Sequence, residues 1–396
     1  MRASGGNPLV APPRTAQAVA DRILNLTPSP TMAMDAKAKA MVRSGIDVIN
    51  LSVGEPDFDT PDHIKEAAIA AIQEGFNKYT PAGGIPELKE AIAEKLSREN
   101  GVDYSPNEVV ACVGGKQAVC NVFLAICDPG DEVIVHAPTW PTFLEQIKLA
   151  QGNPVTVPLA SPFSITADPL VERITPKTRA ILLNSPCNPT GEVADPAEIR
   201  KLAQACVERG IYFIADETYE HFLYGATEHL SPASMGADEK ANVITVNTVS
   251  KTYAMTGWRL GYVAGPEPVI KAINDLMTQI TSNPTSAAQK AAIAALTGPQ
   301  DCVQEMVAEF SARRTLLVEG LRDLGYTCAL PGGAFYAFPQ VKGDEQDMAV
   351  ADRLLEEAHV ATVPGSSFLA DGYLRMSYAT SREKLQEALE RLQELA

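Results

Sequence analysis

Residues 179–216 read RAILLNSPCNPTGEVADPAEIRKLAQACVERGIYFIAD, and this stretch decides the fold class. Two short apolar runs, Arg179–Asn184 and Ile211–Ala215, have the length and composition of buried strands. Between them, Ala197–Glu208 has the apolar spacing of a helix, and a loop rich in proline and asparagine precedes it. A strand, a helix and a second strand in this order predict two parallel strands joined by a crossover helix.

The same alternation continues on both sides of this stretch, from about residue 61 to residue 298. Helical stretches such as Lys116–Ile126 and Pro141–Ala150 separate most of the apolar segments. The segments predicted as strands are Glu108–Val113, Glu132–His136, Pro154–Pro158, Arg179–Asn184, Ile211–Ala215, Val243–Asn247 and Leu260–Ala264. The sequence therefore predicts an α/β fold, whose large domain (residues 61–299) has a mostly parallel seven-stranded sheet between helices.

The C-terminal part of the chain has a different pattern, which predicts a second domain. A long amphipathic helix is expected after Pro299, with Gly325 as its stop. Shorter strands and helices are expected at Tyr326–Leu330, Ala334–Pro339, Asp347–Ala358, Val360–Val363, Tyr373–Tyr378 and Arg382–Leu395. We assign residues 26–60 and 300–396 to a smaller α+β domain. Residues 1–25 form an N-terminal arm, with a flexible tail at 1–13 and a helix at Ala16–Leu26.

The composition excludes several classes of function. The chain has 396 residues, and its 33 basic and 49 acidic residues give a net charge of −16. Such a protein is repelled by phosphate backbones and anionic bilayers, so we expect no nucleic-acid partner and no membrane partner. The seven cysteines include no CxxC pair, and the five histidines show no HExxH or HxH pattern. We therefore expect reduced thiols, a cytoplasmic location and no metal site.

Chemically useful residues stand directly after three of the predicted strands, where ligands bind in open α/β sheets. Gly114-Gly115-Lys116 opens a predicted helix, whose free N–H groups suit a phosphate. Asp216 ends one buried strand, and Lys251 follows another among residues that can lower the pKa of its amine. Each feature alone also has an ordinary explanation: a structural turn, a helix N-cap and a solvated loop lysine.

Eight segments in one order carry a family resemblance from about Leu26 to Leu395. They are GEPDFD (54–59), KYTPAGG (78–84), GGKQA (114–118), NSPCNPTG (184–191), DETYE (216–220), SKTYAMTGWRLGY (250–262), GGAF (332–335) and RMSYAT (375–380). Together they resemble the aspartate aminotransferase family of fold-type I pyridoxal-phosphate enzymes, in the branch of bacterial aspartate and prephenate aminotransferases. The resemblance implies that the large domain, residues 61–299, binds pyridoxal 5'-phosphate.

The resemblance also implies a role for each residue at the cofactor ring. Lys251 would hold the cofactor through a Schiff base and later move the substrate proton. Asp216 would pair with the pyridine nitrogen, so that the ring can accept electrons. Asn188 and Tyr219 would hydrogen-bond the phenolic oxygen, and Trp140 would stack on the ring face. Lys251, Tyr219 and Asp216 are the expected catalytic residues.

Further residues would hold the phosphate and the substrate carboxylate. The resemblance assigns the phosphate to the backbone of Gly115 and Lys116, with Arg259, the hydroxyls of Ser250 and Thr248, and Tyr79 of the partner subunit. Arg375 would grip the α-carboxylate of the substrate as a bidentate fork, beside the backbone of Gly54. Two positions depart from the family pattern: Thr248 stands where Gly or Ser is usual, and Thr139 where close relatives have Tyr.

The substrates implied are small amino acids and 2-oxo acids. In this branch a lysine at the position of Lys116 binds the second carboxylate of the substrate, and a threonine at the position of Thr31 is associated with prephenate. Aspartate and glutamate are therefore the expected donors, with 2-oxoglutarate or oxaloacetate as acceptors and prephenate, which would give arogenate, as a further acceptor. The reaction would be ping-pong transamination.

A homodimer with shared active sites is implied as well, because Tyr79, and with it Thr281–Ser286, would reach the neighbouring site. One alternative on the same fold is a β-lyase or an aminotransferase for other amino acids, since Lys251, Asp216 and Arg375 serve those reactions too. A non-catalytic regulator is a third reading, which the retained Lys251 and Asp216 oppose.

Overall fold

A computed structural model of the chain describes residues 19–395. Its α-helices are α1 (Asp21–Leu24), α2 (Pro30–Arg43), α3 (Asp62–Gln73), α4 (Pro86–Asn100), α5 (Gly114–Ile126), α6 (Thr142–Leu149), α7 (Ala167–Val171), α8 (Pro196–Arg209), α9 (Ala237–Asn242), α10 (Val249–Thr252), α11 (Glu267–Ile280), α12 (Ser286–Thr297), α13 (Asp301–Asp323), α14 (Asp347–Glu356) and α15 (Arg382–Leu395). None of these helices is both long and apolar enough to cross a bilayer.

The strands form one large and two small sheets. They are β1 (Ile49–Asn50), β2 (Val109–Cys112), β3 (Glu132–Ala137), β4 (Asn153–Pro158), β5 (Thr178–Asn184), β6 (Tyr212–Asp216), β7 (Val243–Thr248), β8 (Gly261–Ala264), β9 (Tyr336–Ala337), β10 (Val360–Ala361), β11 (Val363–Pro364) and β12 (Leu374–Ser377). The seven strands β2 to β8 make the large sheet, at the positions predicted from the sequence to within a few residues.

The large sheet has the strand order β2-β8-β7-β6-β5-β3-β4. Only β8 runs antiparallel to its neighbours β2 and β7, and the other pairs are parallel. The predicted mostly parallel, seven-stranded sheet is therefore confirmed. Because β7, β6 and β5 are adjacent and parallel, their carboxyl ends meet at one edge, and the residues that follow them are brought together there.

Helices cover both faces of this sheet. One face packs against apolar residues of α5, α6 and α11, such as Phe123, Ile147 and Ile273. The other face packs against α4, α8 and α12, where Leu88 and Leu202 are buried. The central strands are therefore enclosed on both sides, and their residues are mostly apolar, with few polar ones such as Thr245 and Asn247.

A second core joins the two ends of the described chain. It contains Met34 and Leu51 from the N-terminal part and residues of α13, α14 and α15, for example Phe310 and Leu385. β1 pairs in parallel with β10, while β11, β12 and β9 form a short antiparallel sheet. This α+β organisation fits the expected smaller domain. The boundaries 26–60, 61–299 and 300–396 stay a prediction.

Three expectations about local secondary structure either need correction or concern residues outside 19–395. Tyr326–Leu330 alternates buried and exposed residues but is not a strand, because no ladder forms with a neighbour. Of the helix expected at Ala16–Leu26, only Asp21–Leu24 is helical among the residues described. The N-terminal arm up to residue 18, with the tail expected at 1–13, lies outside the described residues. Helix α2 was not expected.

Candidate active site

A cavity of about 440 Å³ opens at the carboxyl edge of the large sheet, between the two cores. Thirteen of the fourteen site residues expected from the sequence line it: Thr31, Gly54, Gly115, Lys116, Trp140, Asn188, Asp216, Tyr219, Thr248, Ser250, Lys251, Arg259 and Arg375. The remaining one, Tyr79, does not. Residues that are far apart in the sequence therefore share one cavity, as expected if they act on one ligand.

Lys251 lies in the first turn of α10, directly after β7. Its Nζ donates a hydrogen bond to the carbonyl oxygen of Gly54, which comes from the other side of the cavity. Burial lowers the pKa of this amine to about 8. An amine with this pKa is neutral in about a tenth of the molecules at pH 7, far more than an ordinary lysine, so it can act as a nucleophile or a base.

Asp216 is the last residue of β6, and its carboxylate is buried at the cavity wall. The Oδ1 atom accepts hydrogen bonds from the hydroxyl of Thr218 at 2.6 Å and from its backbone N–H at 3.1 Å. Burial raises the pKa of this carboxyl to about 6. Among the described residues no cation pairs with Asp216, so a ligand that brings a positive N–H group would find a ready partner here.

Arg375 reaches the cavity from β12 and is 2% exposed. Its Nη1 donates to Oδ1 of Asn188 at 2.9 Å, and its Nη2 donates to the carbonyl oxygen of Ser52 at 2.6 Å. The guanidinium lies 4.6 Å from the ring centre of Tyr336. Within the described part of the chain its Nε has no hydrogen-bond partner. A buried guanidinium that is held by neutral groups is a site for an anion from outside the protein.

Asn188 and Tyr219 are fixed in place by neighbouring side chains. The backbone N–H of Asn188 donates to Oδ1 of Asn184 at 2.8 Å, so the loop after β5 is held against the end of that strand. The hydroxyl groups of Tyr219 and Tyr336 lie 2.8 Å apart. Both residues are buried, which leaves their polar groups few orientations other than the ones that face the cavity.

The N-terminus of α5 forms another wall of the cavity. A side chain at Gly114 would overlap the guanidinium of Arg259, so the glycine lets this arginine lie over the start of the helix. A side chain at Gly115 would lie 3.4 Å from Cβ of Thr248. The hydroxyls of Thr248 and Ser250 are 2.8 Å apart beside it. Helix N–H groups, hydroxyls and an arginine together make a suitable cradle for a phosphate.

Lys116 and Trp140 lie next to each other at the cavity. The Nζ of Lys116 is 5.0 Å from the ring centre of Trp140, which itself packs edge-on against Phe143. Thr31 lies in the first turn of α2, with its hydroxyl 3.0 Å from that of Ser29. The structure therefore brings the two residues expected to affect substrate choice, Lys116 and Thr31, into one cavity.

Tyr79 stands apart from this cavity and is 90% exposed. Its neighbours are tied to the segment at 281–286: Ser286 donates to the carbonyl of Lys78 at 2.8 Å, and Asn283 accepts from the N–H of Thr80. The two stretches expected to reach a neighbouring site thus form one surface.

Several residues of the cavity were missed by the sequence reasoning. Tyr336 contacts Arg375 and Tyr219, and Asn184 holds Asn188. Asp35 and Lys39 enter from α2, where they form an ion pair at 2.7 Å. The signal for Tyr336 and Asn184 was present, because each belongs to or directly follows a recognised motif. Asp35 and Lys39 lie in a helix that was not expected.

The charges of the cavity are unlike those of the protein as a whole. Lys251, Arg259 and Arg375 make their hydrogen bonds to carbonyl oxygens rather than to carboxylates among residues 19–395. Lys116 adds a fourth cation over Trp140. In a chain of net charge −16 this concentration of unpaired positive charge selects anionic ligands. The groups fit a flat phosphorylated cofactor together with a carboxylate substrate.

The chain belongs to the aminotransferase class I and II family, whose profile matches residues 46–392.

The sequences of individual relatives match this chain over nearly its whole length. An aspartate aminotransferase of Geobacillus stearothermophilus is 46% identical over 383 residues, which are 94% of this chain and 98% of the relative. A probable aspartate/prephenate aminotransferase of Aquifex aeolicus is 48% identical over 94% of this chain and 97% of its own length. The solved structure of the aspartate aminotransferase of Thermus thermophilus with maleate superposes with a TM-score of 0.93, at 44% identity, over 96% of this chain and 100% of that one.

Proposed function

We propose that this chain is a pyridoxal-phosphate-dependent aminotransferase that moves an amino group between aspartate or glutamate and 2-oxoglutarate or oxaloacetate. One observation carries the proposal: a single cavity contains the amine of Lys251, the unpaired carboxylate of Asp216 and the unpaired guanidinium of Arg375. The relatives named aspartate aminotransferase support the choice of substrates.

The residues of the cavity would hold the cofactor at three places. The N–H groups of Gly115 and Lys116, with Ser250 and Arg259, would bind its phosphate. Asp216 would keep a proton on the ring nitrogen, while Asn188 and Tyr219 would donate to the phenolic oxygen. Trp140 would cover the ring face. When bound, the cofactor supplies an electron sink for the electron pair left at the substrate Cα.

The chain's own residues then control the proton and the substrate. Arg375 binds the α-carboxylate and so orients the Cα–H bond toward Nζ of Lys251. The neutral amine takes the proton from Cα, which its pKa of about 8 allows near neutral pH. Lys116 binds the second carboxylate of aspartate or glutamate from the opposite end of the cavity. A keto acid leaves, and a second keto acid takes the amino group by the reverse steps.

Prephenate is a further proposed acceptor, giving arogenate. Lys116 and Thr31 both line the cavity, and a relative named aspartate/prephenate aminotransferase supports this use. Prephenate also has two carboxylates, although set further apart, and a flexible lysine serves both spans.

We also propose a homodimer in the cytoplasm. The 90% exposed side chain of Tyr79 and its surface with residues 281–286 support a contribution to the partner's phosphate site. All seven cysteines are free thiols, which supports a reducing compartment.

The direct test is the absorbance of the cofactor-loaded protein during titration with aspartate. We expect the yellow absorbance to disappear and to return when 2-oxoglutarate is added, and we expect Lys251→Ala to show neither change. Release of ammonia, pyruvate and a thiol from a sulfur amino acid such as cystathionine, without a keto-acid acceptor, would instead indicate a lyase. An unchanged spectrum at saturating aspartate and glutamate would reject the proposal.

A further inference from the structure

A second cavity, of about 380 Å³, lies behind the segment that follows β6. Its lining residues are Glu99, Glu220, His221, Leu223, His229, Gln300, Val303 and Gln304. None of them lines the catalytic cavity. Two histidines and two glutamates converge here, with Glu217 directly behind them, and the proposed transamination uses none of these side chains.

The carboxylates of this cavity outnumber the cation that they surround. Lys95 is buried, and its Nζ donates to Oε1 of Glu220. The same Nζ lies 3.5 Å from Oε2 of Glu99. Glu217 lies beyond it, bound by Ser231 and Asn100. Arg98 also binds Glu99, at 2.7 Å. Two cations thus stand against three carboxylates, and the remaining negative charge favours a further cation.

His229 provides the second, independent observation. Its side chain is only 10% exposed, yet neither ring nitrogen has a hydrogen-bond partner among the described residues. The Nε2 atom lies 3.6 Å from Oε2 of Glu217, which is too long for a hydrogen bond. Two ligands of a tetrahedral zinc ion with bonds of about 2.0–2.1 Å stand roughly 3.3 Å apart, close to this separation.

We propose that this cavity binds one divalent transition-metal ion of the zinc type, with His229, Glu217 and Glu220 as ligands. The ligand atoms of these three residues lie within 4.8 Å of one another. One imidazole and two carboxylates are the ligand types that zinc accepts, whereas magnesium and calcium favour oxygen ligands alone. His221 and Glu99 lie at the same cavity, with Nε2 and Oε2 3.0 Å apart. The ion would tie the segment 217–229 together.

The test uses the untagged, cofactor-loaded full chain after treatment with a chelator. Titration with zinc chloride against a chromophoric chelator measures the number of ions bound and their affinity. We expect one ion per protomer, and we expect His229→Gln to weaken its binding at least about tenfold. The matched control is His359→Asn, which removes a histidine beside β10, outside the cavity, and should leave the affinity unchanged.

A second readout separates the site from a surface ion and from a folding defect. Cobalt(II) in the wild-type site should give the visible absorption of a tetrahedral ion with nitrogen and oxygen ligands. Glu217→Gln should lose this band and the zinc affinity as His229→Gln does. Absence of a bound ion in the wild-type protein, or a zinc affinity in both folded variants equal to that of the wild-type protein, would overturn the proposal.

Discussion

Two buried carboxylates four residues apart, Asp216 and Glu220, have opposite surroundings. Burial raises the pKa of Asp216 to about 6, since no cation pairs with it among the described side chains. Burial alone would also raise the pKa of Glu220, but Lys95 holds it well below the usual range. Glu220 accepts further hydrogen bonds from Asn247 and Asn100. Asp216 has no charged partner among these residues, whereas Glu220 is paired with a cation of the protein.

The cations show the same difference. Arg375 is buried between the rings of Tyr336 and Phe368, and its hydrogen bonds go to neutral groups. Lys95 is equally buried, but Glu220 pairs with it. Unpaired charge therefore marks the catalytic cavity, and the Lys95–Glu220 pair joins α4 to the segment after β6.

Removing the unpaired carboxylate should affect turnover and not stability. We expect Asp216→Asn to lower kcat by about 10⁴-fold with aspartate and 2-oxoglutarate, because the ring nitrogen loses its charged partner. A kcat within tenfold of the parent would contradict the claim that the unpaired carboxylate of Asp216 serves a ligand.

The same variant changes how the stability of the cofactor-free protein depends on pH. The pKa of Asp216 is raised on folding, so the folded state binds the proton more tightly, and stability falls as pH rises from about 4 to about 6. Asp216→Asn lacks this dependence, so urea unfolding at pH 7 should find it at least as stable as the parent. A lower free energy of unfolding would show that the carboxylate stabilises the fold.

Removing Lys95, the paired cation, should instead lower the stability of the fold. We expect Lys95→Met to lower the free energy of unfolding by about 3–5 kcal/mol, because it leaves Glu220 buried without its cation. Lys65→Met is the matched control: its pairs with Asp59 and Asp62 are exposed, so its loss should be below about 1 kcal/mol. Equal losses of unfolding free energy in the two variants, measured by urea denaturation, would contradict the distinction between a buried and an exposed ion pair.

Replacing Arg375 tests how the protein binds the α-carboxylate, a group that all amino-acid donors have. We expect Arg375→Lys to lower kcat/KM about 100-fold, since an ammonium cannot reproduce two parallel hydrogen bonds to a carboxylate. The loss should be similar for aspartate and alanine, because both have an α-carboxylate. A loss confined to aspartate would place Arg375 at the second carboxylate instead.

Replacing Lys116 has the smallest expected effect and tests selectivity. We expect Lys116→Ala to lower kcat/KM for aspartate about tenfold more than for alanine, because only aspartate has a second carboxylate. The ratio of the two values, measured with one acceptor, is the readout. An unchanged ratio would exclude Lys116 from this role.

The sequence predicted the large sheet well, because its strands are continuous apolar runs separated by helices and turns. Helix α2 was not predicted from the sequence, for a physical reason. Its sequence, PTMAMDAKAKAMVR, is rich in alanine and lysine, and its apolar stripe is narrow, since Met34 and Ala38 are buried and Met41 is partly buried beside them. Conversely, Tyr326 and Cys328 alternate with exposed residues as in a strand, yet a single backbone bond, from Gln340 to the carbonyl of Thr327, does not extend into a strand ladder there.

The candidate site was predictable as a list of residues but not as an arrangement. Motifs placed Lys251, Asp216 and Asn188 after neighbouring strands. Nothing local indicated that Tyr336 would stack on Arg375, since that contact depends on how β9 and β12 pair. The second cavity, with its histidines and glutamates, could not be predicted for the same reason. Helix α4 supplies Glu99, whereas the segment after β6 supplies the histidines.

The central claim, that Lys251 is the amine that binds pyridoxal phosphate, has one direct test. The purified, cofactor-loaded protein is reduced with sodium borohydride, which fixes the cofactor to the amine that holds it, then digested and analysed by mass spectrometry. The account predicts one phosphopyridoxyl group per protomer, on the peptide that contains Lys251. Label on another lysine, such as Lys116, or no label at all would contradict it.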